Sequence, residues 1–149
     1  MESLESLLSL LRKNNLKITP QRRLILKLLV NDDSHPTADQ IYQRVIDVMP
    51  SVSRTTVYNT LHELVALDAL IEVQDLGAGG LRYDTNTEQH HHLFCTHCHT
   101  LTDIERDFAG IDMTPAETAG YQIERHQVTF YGVCPDCQHA IETEKREPA

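Results

Sequence analysis

Four cysteines and nine histidines are the residues of this 149-residue chain whose chemistry depends most on spacing. Cys95-Thr96-His97-Cys98 and Cys134-Pro135-Asp136-Cys137 are two C-x-x-C pairs with 35 residues between them. Two such knuckles can present four thiolates tetrahedrally to Zn²⁺, because each short loop aims both of its sulfurs at one point. With all four positions filled by protein, the expected Zn²⁺ is structural. Three other readings of the same residues stay open. A dithiol redox motif would need a thioredoxin-like βαβ pattern, which is not seen here. Cys95-Thr96-His97-Cys98-His99 also fits c-type haem attachment, which leaves the second pair unexplained. Buried free cysteines are the third reading.

His90-His91-His92 precedes the first cysteine pair on a segment that reads as extended. Side chains alternate on such a segment, so His90 and His92 share one face and His91 points to the other. Two imidazoles on one face with carboxylates nearby suit a divalent first-row metal such as Fe²⁺, Mn²⁺ or Zn²⁺. Asp84 and Asp103 are the nearest oxygen donors in the sequence. The competing reading of the triple His is a solvated polar strand.

The elements that must position these groups follow from periodicity. Leu4, Leu7, Leu8 and Leu11 recur at helical spacing, which predicts a first helix from Glu2 to about Asn14. Thr19-Pro20 is a helix start, and Leu24, Ile25, Leu28 and Leu29 continue it to near Asn31. Thr37-Ala38-Asp39-Gln40 is a capping box that opens a third helix ending before Pro50. Ser53 caps a fourth, running to about Ala69. The period then switches to strands at 70–73 and 81–83, around a turn at Gly77, Gly79 and Gly80.

Compact helices followed by a hairpin is the order of a winged helix-turn-helix, in which the helix before the wing enters the major groove. Here that helix opens Ser-Arg-Thr-Thr-Val-Tyr-Asn-Thr. Its first turns offer Arg54, Thr56, Tyr58 and Asn59 to base edges and phosphates, with Lys17 and Arg22 as further phosphate contacts. The bland alternative is a small helical domain with an ordinary polar surface. The net charge of −9 argues against a nucleic-acid partner for the chain as a whole. Residues 1–30 nevertheless keep a basic patch of Arg12, Lys13, Lys17, Arg22, Arg23 and Lys27 against Glu2 and Glu5.

Beyond residue 84 the pattern predicts strands at 93–94 and 101–104, a short helix over 112–119, a longer strand from Tyr121 to Val133 and a frayed, disordered acidic tail from His139. The expected division is a winged-helix domain with its hinge at 1–83 and a metal-binding domain at 84–149, an α+β chain. No apolar run is long enough for a bilayer, and the start lacks the features of a secretory signal, so a cytoplasmic protein is expected.

Several spaced motifs, taken in order, resemble the ferric uptake regulator family from Thr19-Pro20-Gln21-Arg22 to Cys137. They are His35-Pro36-Thr37-Ala38-Asp39-Gln40-Ile41-Tyr42, Thr56-Val57-Tyr58-Asn59, Arg82-Tyr83-Asp84, His90-x-His92 before Cys95-x-x-Cys98, and Tyr131-Gly132-Val133-Cys134-x-x-Cys137. The resemblance implies a homodimeric, metal-activated repressor, not an enzyme, with an N-terminal winged helix and a C-terminal α/β dimerisation domain. It would bind an inverted-repeat double-stranded DNA operator. It also implies a regulatory Fe²⁺ or Mn²⁺ held by His35, Asp84, His90, His92 and Asp103. His35 alone reads as a loop residue before a proline and a helix cap.

Asp at both carboxylate positions resembles the peroxide-sensing branch, in which bound iron leads to oxidation of ligand histidines, by position His35 and His90. Iron-sensing members more often carry Glu there. The alternative is an iron- or manganese-responsive repressor of metal uptake. His91 and His126 match an additional metal site of some members, although Gln89 stands where that site often has a His. The stretch Glu105 to Tyr121 is shorter than the family's usual helix. A zinc sensor is disfavoured because its regulatory site usually includes a Cys. A mononuclear metal enzyme and a metal-storage protein are the other classes that the ligand set allows.

Overall fold

The computed structural model describes residues 3–75, 80–106, 108 and 110–146. The described chain forms two compact units, Met1–Thr87 and Glu88–Ala149. The division falls a few residues beyond the expected hinge, because the second hairpin strand runs through Asp84.

The first unit holds α1 (Leu4–Lys13), α2 (Pro20–Leu29), α3 (Ala38–Val48), α4 (Arg54–Ala66) and the hairpin β1 (Ile71–Asp75) and β2 (Gly80–Asp84). Each helix starts where a side chain satisfies an otherwise unpaired backbone N–H. Ser3, Thr19 and Ser53 accept from the N–H groups of Ser6, Arg22 and Thr56. Thr37 and Gln40 close the capping box in both directions, at 3.2 and 2.9 Å. α4 ends where Asp68 takes a left-handed φ of 54° and Ala69 N–H reaches back to the Leu64 carbonyl at 2.9 Å. Asp tolerates that conformation better than most residues with a side chain.

Leu8, Ile25, Leu26, Val45, Val57 and Leu61 meet in the core with no exposed surface. The hairpin pairs antiparallel from Ile71↔Asp84 to Asp75↔Gly80. It is tied to the entrance of α3 by the Thr37↔Arg82 bridge and by Tyr83 N–H to the Pro36 carbonyl at 2.9 Å. This is a winged helix-turn-helix. The expected turn glycines Gly77 and Gly79, like Glu2 at the chain start, lie outside the described residues.

The second unit is a three-stranded sheet in the order β4 (Leu101–Ile104), β3 (His91–Cys95), β5 (Thr129–Gly132), followed by α5 (Pro135–Arg146). β3 is central. It pairs antiparallel with β4, setting His92 opposite Asp103, and parallel with β5, setting Cys95 opposite Gly132.

Three expectations change here. The strand over 121–133 is confined to Thr129–Gly132, because pairing with β3 begins only where His92 N–H reaches the Val128 carbonyl. Tyr121 and Ile123, at the start of the expected strand, are exposed. The helix expected over 112–119 is a run of turns, with left-handed Ala119 and Gly120 ending it. The tail expected to fray is helical through Arg146, from a start at Pro135, a residue suited to the first helical position. Among the described residues, no helix is long and apolar enough to cross a membrane.

The zero exposure of Leu61 sets an expected cost. Leu61→Ala will lower the unfolding free energy by about 2–5 kcal/mol through lost burial and the cavity left behind, measured by urea denaturation.

Candidate metal centres and nucleic-acid face

β3 delivers Cys95 at its C-terminal end, and the turn after it closes through His99 N–H to the Cys95 carbonyl at 2.9 Å. β5 leads into Cys134, and the first turn of α5 carries Cys137. The knuckles are stitched together by Thr96 N–H to the Gly132 carbonyl at 2.8 Å and by Cys134 N–H to Cys95 Sγ at 3.3 Å. All four sulfurs lie within 4.8 Å of one another. Cys98 Sγ and Cys134 Sγ are 3.7 Å apart. A tetrahedral site with metal–sulfur bonds of about 2.3 Å has sulfur–sulfur edges of about 3.8 Å, so the group fits such an ion.

Electrostatics separates the thiols. Backbone N–H groups, that of Cys134 foremost, pull Cys95 down to about 5. The Thr100 hydroxyl, 3.2 Å from Cys98 Sγ, is the main cause of a lowered Cys98. Cys137 is pushed up to about 12, first by its hydrogen bond with Cys134. One cluster thus holds a ready thiolate and a thiol that resists adding another negative charge.

The histidine face forms at the other end of β3. His90 Nδ1 lies 2.7 Å from the Glu88 carbonyl. A carbonyl only accepts, so the proton sits on Nδ1 and Nε2 presents its lone pair. That Nε2 is 3.1 Å from His92 Nε2. Asp103 Oδ1 lies 3.5 Å from the first and 3.4 Å from the second. Ligand–ligand edges of about 3.0–3.4 Å are expected around an ion bound at about 2.1 Å. His91 faces away, accepting from Val128 N–H at 3.1 Å and stacking on His126 at 5.7 Å. Gln89 Nε2 is 3.3 Å from His126 Nε2. Among the described residues, His91 and His126 join no group of three or more metal donors.

In the first unit, His35 Nε2 and Asp84 Oδ2 are 3.3 Å apart, and both side chains are buried. Asn86 N–H donates to the other Asp84 oxygen at 2.8 Å. His35 has a left-handed φ of 48°, a strained choice for a residue with a Cβ. Its carbonyl accepts from buried Arg82 at 3.3 Å. Arg44 anchors the same loop through Asp32 and through Ser34.

The residues expected to touch DNA fall in two groups, one lining a cleft and one packed against α3. Lys17, Arg22, Thr56 and Asn59 line an open cleft of about 550 Å³. Arg22 is half-committed to structure: its Nη2 lies 2.6 Å from Glu63 Oε2, and its Nη1 donates to the Lys17 carbonyl at 2.8 Å. Arg54 pairs with Asp39 and lies over the Tyr42 ring at 4.5 Å. Tyr58 is exposed, and its hydroxyl donates to Asp39 at 3.3 Å. Asp39, Glu63 and Arg82 have no site role in the sequence reading. Arg82 and Asp39 stand in quoted motifs without a role assigned to them, and Glu63 looks like an ordinary surface acid on a helix.

The thiol environments fix a pH behaviour for the metal-free protein. Thiolate absorbance will rise in separate steps, the first near pH 5 for Cys95 and the last near pH 12 for Cys137. Cys95 ionises below its ordinary 9.0, so its contribution to stability is complete above pH 9.0 and is lost as pH falls toward 5. Cys137 acts in the opposite sense between 9.0 and about 12. A single step near 9.0 in an ultraviolet titration would show that the sulfurs are not gathered.

Comparison with known proteins agrees with this architecture. The model of the ferric uptake regulator family matches residues 13–131. The peroxide-responsive repressor PerR of Staphylococcus saprophyticus is 33% identical over 136 residues, covering 91% of each chain. The ferric uptake regulator Fur of Helicobacter pylori superposes with a TM-score of 0.71 at 22% identity, over 92% of this chain and 95% of the other. PerR from Streptococcus pyogenes superposes at 0.54 with 31% identity, over 93% and 95%. With the family model matched along most of its length and a relative of that identity spanning nearly all of it, the chain belongs to the ferric uptake regulator family.

Proposed function

We propose that the chain is a homodimeric, metal-dependent DNA-binding repressor that senses hydrogen peroxide through iron-dependent oxidation of ligand histidines. The observation that carries this reading is the trio of buried His90 and His92 with half-buried Asp103, whose donor atoms lie 3.1 to 3.5 Å apart. The identity to peroxide-responsive repressors and the Asp at positions 84 and 103 support the sensing part. Membership in a family of regulators argues against an enzyme.

In this reading Cys95, Cys98, Cys134 and Cys137 hold a structural Zn²⁺. Its charge stabilises the fourth thiolate that the bare cluster opposes, so loading it at neutral pH releases protons. His35, Asp84, His90, His92 and Asp103 hold a regulatory Fe²⁺ or Mn²⁺. An ion that draws ligands from both units favours the arrangement in which it can reach them all, and that preference is the coupling free energy for DNA binding. Leu93 and Phe130, register partners with exposed apolar side chains, support a partner on the sheet. A two-fold dimer reads an inverted-repeat operator, with Arg54, Thr56, Tyr58 and Asn59 toward bases and Lys17 and Arg22 toward phosphates.

Iron, when bound, supplies the chemistry that cleaves peroxide and adds oxygen to an adjacent imidazole. The protein's part is placement. Glu88 fixes the His90 tautomer, and the Arg82-braced loop fixes His35. An imidazole oxidised at either position loses donor strength, the regulatory ion is released and DNA binding fails. Manganese in the same ligands leaves the histidines intact.

The test loads the full-length protein anaerobically with Fe²⁺ or Mn²⁺ on a fluorescent duplex and adds peroxide while anisotropy is followed. Loss of binding only with Fe²⁺, with one added oxygen on His35 or His90 by peptide mass analysis, is the expected result. Retained binding with unmodified histidines would leave a repressor that reports metal level alone. Asp103→Glu will keep metal-dependent DNA binding with weaker peroxide sensitivity, and equal sensitivity would remove the argument from aspartate.

A further inference from the structure

We infer that Asp39 is a specificity-determining residue of the DNA face: it holds Arg54 and Tyr58 in one geometry and so withholds them from phosphates of arbitrary sequence. The inference rests on the DNA-binding reading above. Asp39 stands in the first turn of α3, and its Oδ1 accepts from both the Arg54 guanidinium and the Tyr58 hydroxyl. Arg54 and Tyr58 are four residues apart on α4 and therefore share a face. The Tyr42 ring, three residues after Asp39, supports the guanidinium from beneath at 4.5 Å. One carboxylate oxygen and one ring thus fix two side chains of the helix that opens Ser53-Arg54-Thr55-Thr56.

Stability does not explain this arrangement. The Arg54 and Asp39 side chains are 54% and 64% exposed, and ion pairs so open to solvent contribute little to folding. Nor does bare affinity explain it, because a carboxylate among DNA-facing cations opposes the approach of a polyanion. Its effect is on selection. A phosphate contact carries no sequence information, and for Arg54 to make one away from its held position it must leave Asp39 unpaired beside the backbone. Complexes that use Arg54 and Tyr58 where they stand keep the pair intact. They are favoured over complexes that only collect phosphates.

The test uses the full-length protein loaded with Mn²⁺, a duplex recovered by the wild type from a randomised pool, and a scrambled duplex of the same length. Anisotropy titrations across a salt series give affinity and salt slope for each. Asp39→Ala will raise affinity for the scrambled duplex and lower the ratio of recovered to scrambled affinity by about tenfold. Its salt slope on scrambled DNA will steepen by about 0.9, the signature of one more phosphate contact. Asp39→Asn, which keeps an acceptor oxygen without the charge, will fall between, and it stands in if the alanine variant folds poorly. In an Arg54→Ala background, where Tyr58 is the partner still held, Asp39→Ala will change the ratio by much less and leave the slope on scrambled DNA unchanged, because a neutral hydroxyl displaces no counterion. An unchanged ratio in the single variant would overturn the inference. So would an equal effect in the Arg54→Ala background, which would mean a general charge effect. If the wild type recovers no duplex from the pool, the DNA-binding reading itself fails. A discriminating wild type with an indifferent Asp39 variant removes only the assignment of Asp39.

Discussion

The register of β3 is the constraint on which both candidate metal clusters of the second unit depend. One five-residue strand carries His91 and His92 near its start and Cys95 at its end, with His90 just before it. Its antiparallel neighbour sets Asp103 opposite His92, and its parallel neighbour sets Gly132 opposite Cys95, two residues before Cys134. Side chains alternate along a strand, so a slip of one residue would exchange His91 for His90 and His92 on the ligand face. The same slip would carry Cys95 away from the backbone N–H of Cys134 that lowers its pKa. The two centres are consequences of one pairing pattern.

The first unit solves a different problem, which is to present a single imidazole from a loop. His35 adopts a left-handed backbone immediately before Pro36 and the Thr37 cap. A conformation of that kind costs on the order of 1 kcal/mol and persists only when its surroundings determine it. Here Arg82 holds the carbonyl of His35, Tyr83 holds that of Pro36, and the capping box starts α3 at once. The wing strand that contributes Asp84 is therefore also the strand that shapes the loop of its neighbour His35. A helix that begins at this loop places Asp39 beside Arg54 and Tyr58 of α4, so the loop and that cluster share one rigid element.

Much of this was legible in the sequence, for physical reasons that can be named. Caps are local: Thr19, Thr37 and Ser53 announce helices because the hydroxyl and the N–H it satisfies lie within three residues. The cysteine knuckles are equally local, and alternation correctly separates His91 from its neighbours. Partners 41 and 47 residues apart, Arg22 with Glu63 and Arg82 with His35, leave no mark in a linear pattern. The strand expected over 121–133 is shorter because a strand forms only where a neighbour pairs with it, and the position of β3 as that neighbour is not written in the local sequence. The tail is helical rather than frayed because Pro135 suits the first helical position, which the charge of the residues after it does not prevent.

Residues 105–128 connect β4 to β5, and both ends are fixed by pairing to β3. Closing a connection costs entropy that grows only with the logarithm of its length, about 0.6 kcal/mol for a doubling. The three-residue step from His92 to Cys95 has no such tolerance, since an insertion of one residue there would flip the faces that follow and one of two would shift Cys95 away from Gly132. The connection between β4 and β5 therefore tolerates changes of length that the spacing inside β3 does not. A change of length in that connection leaves both side-chain clusters at the ends of β3 where the pairing puts them.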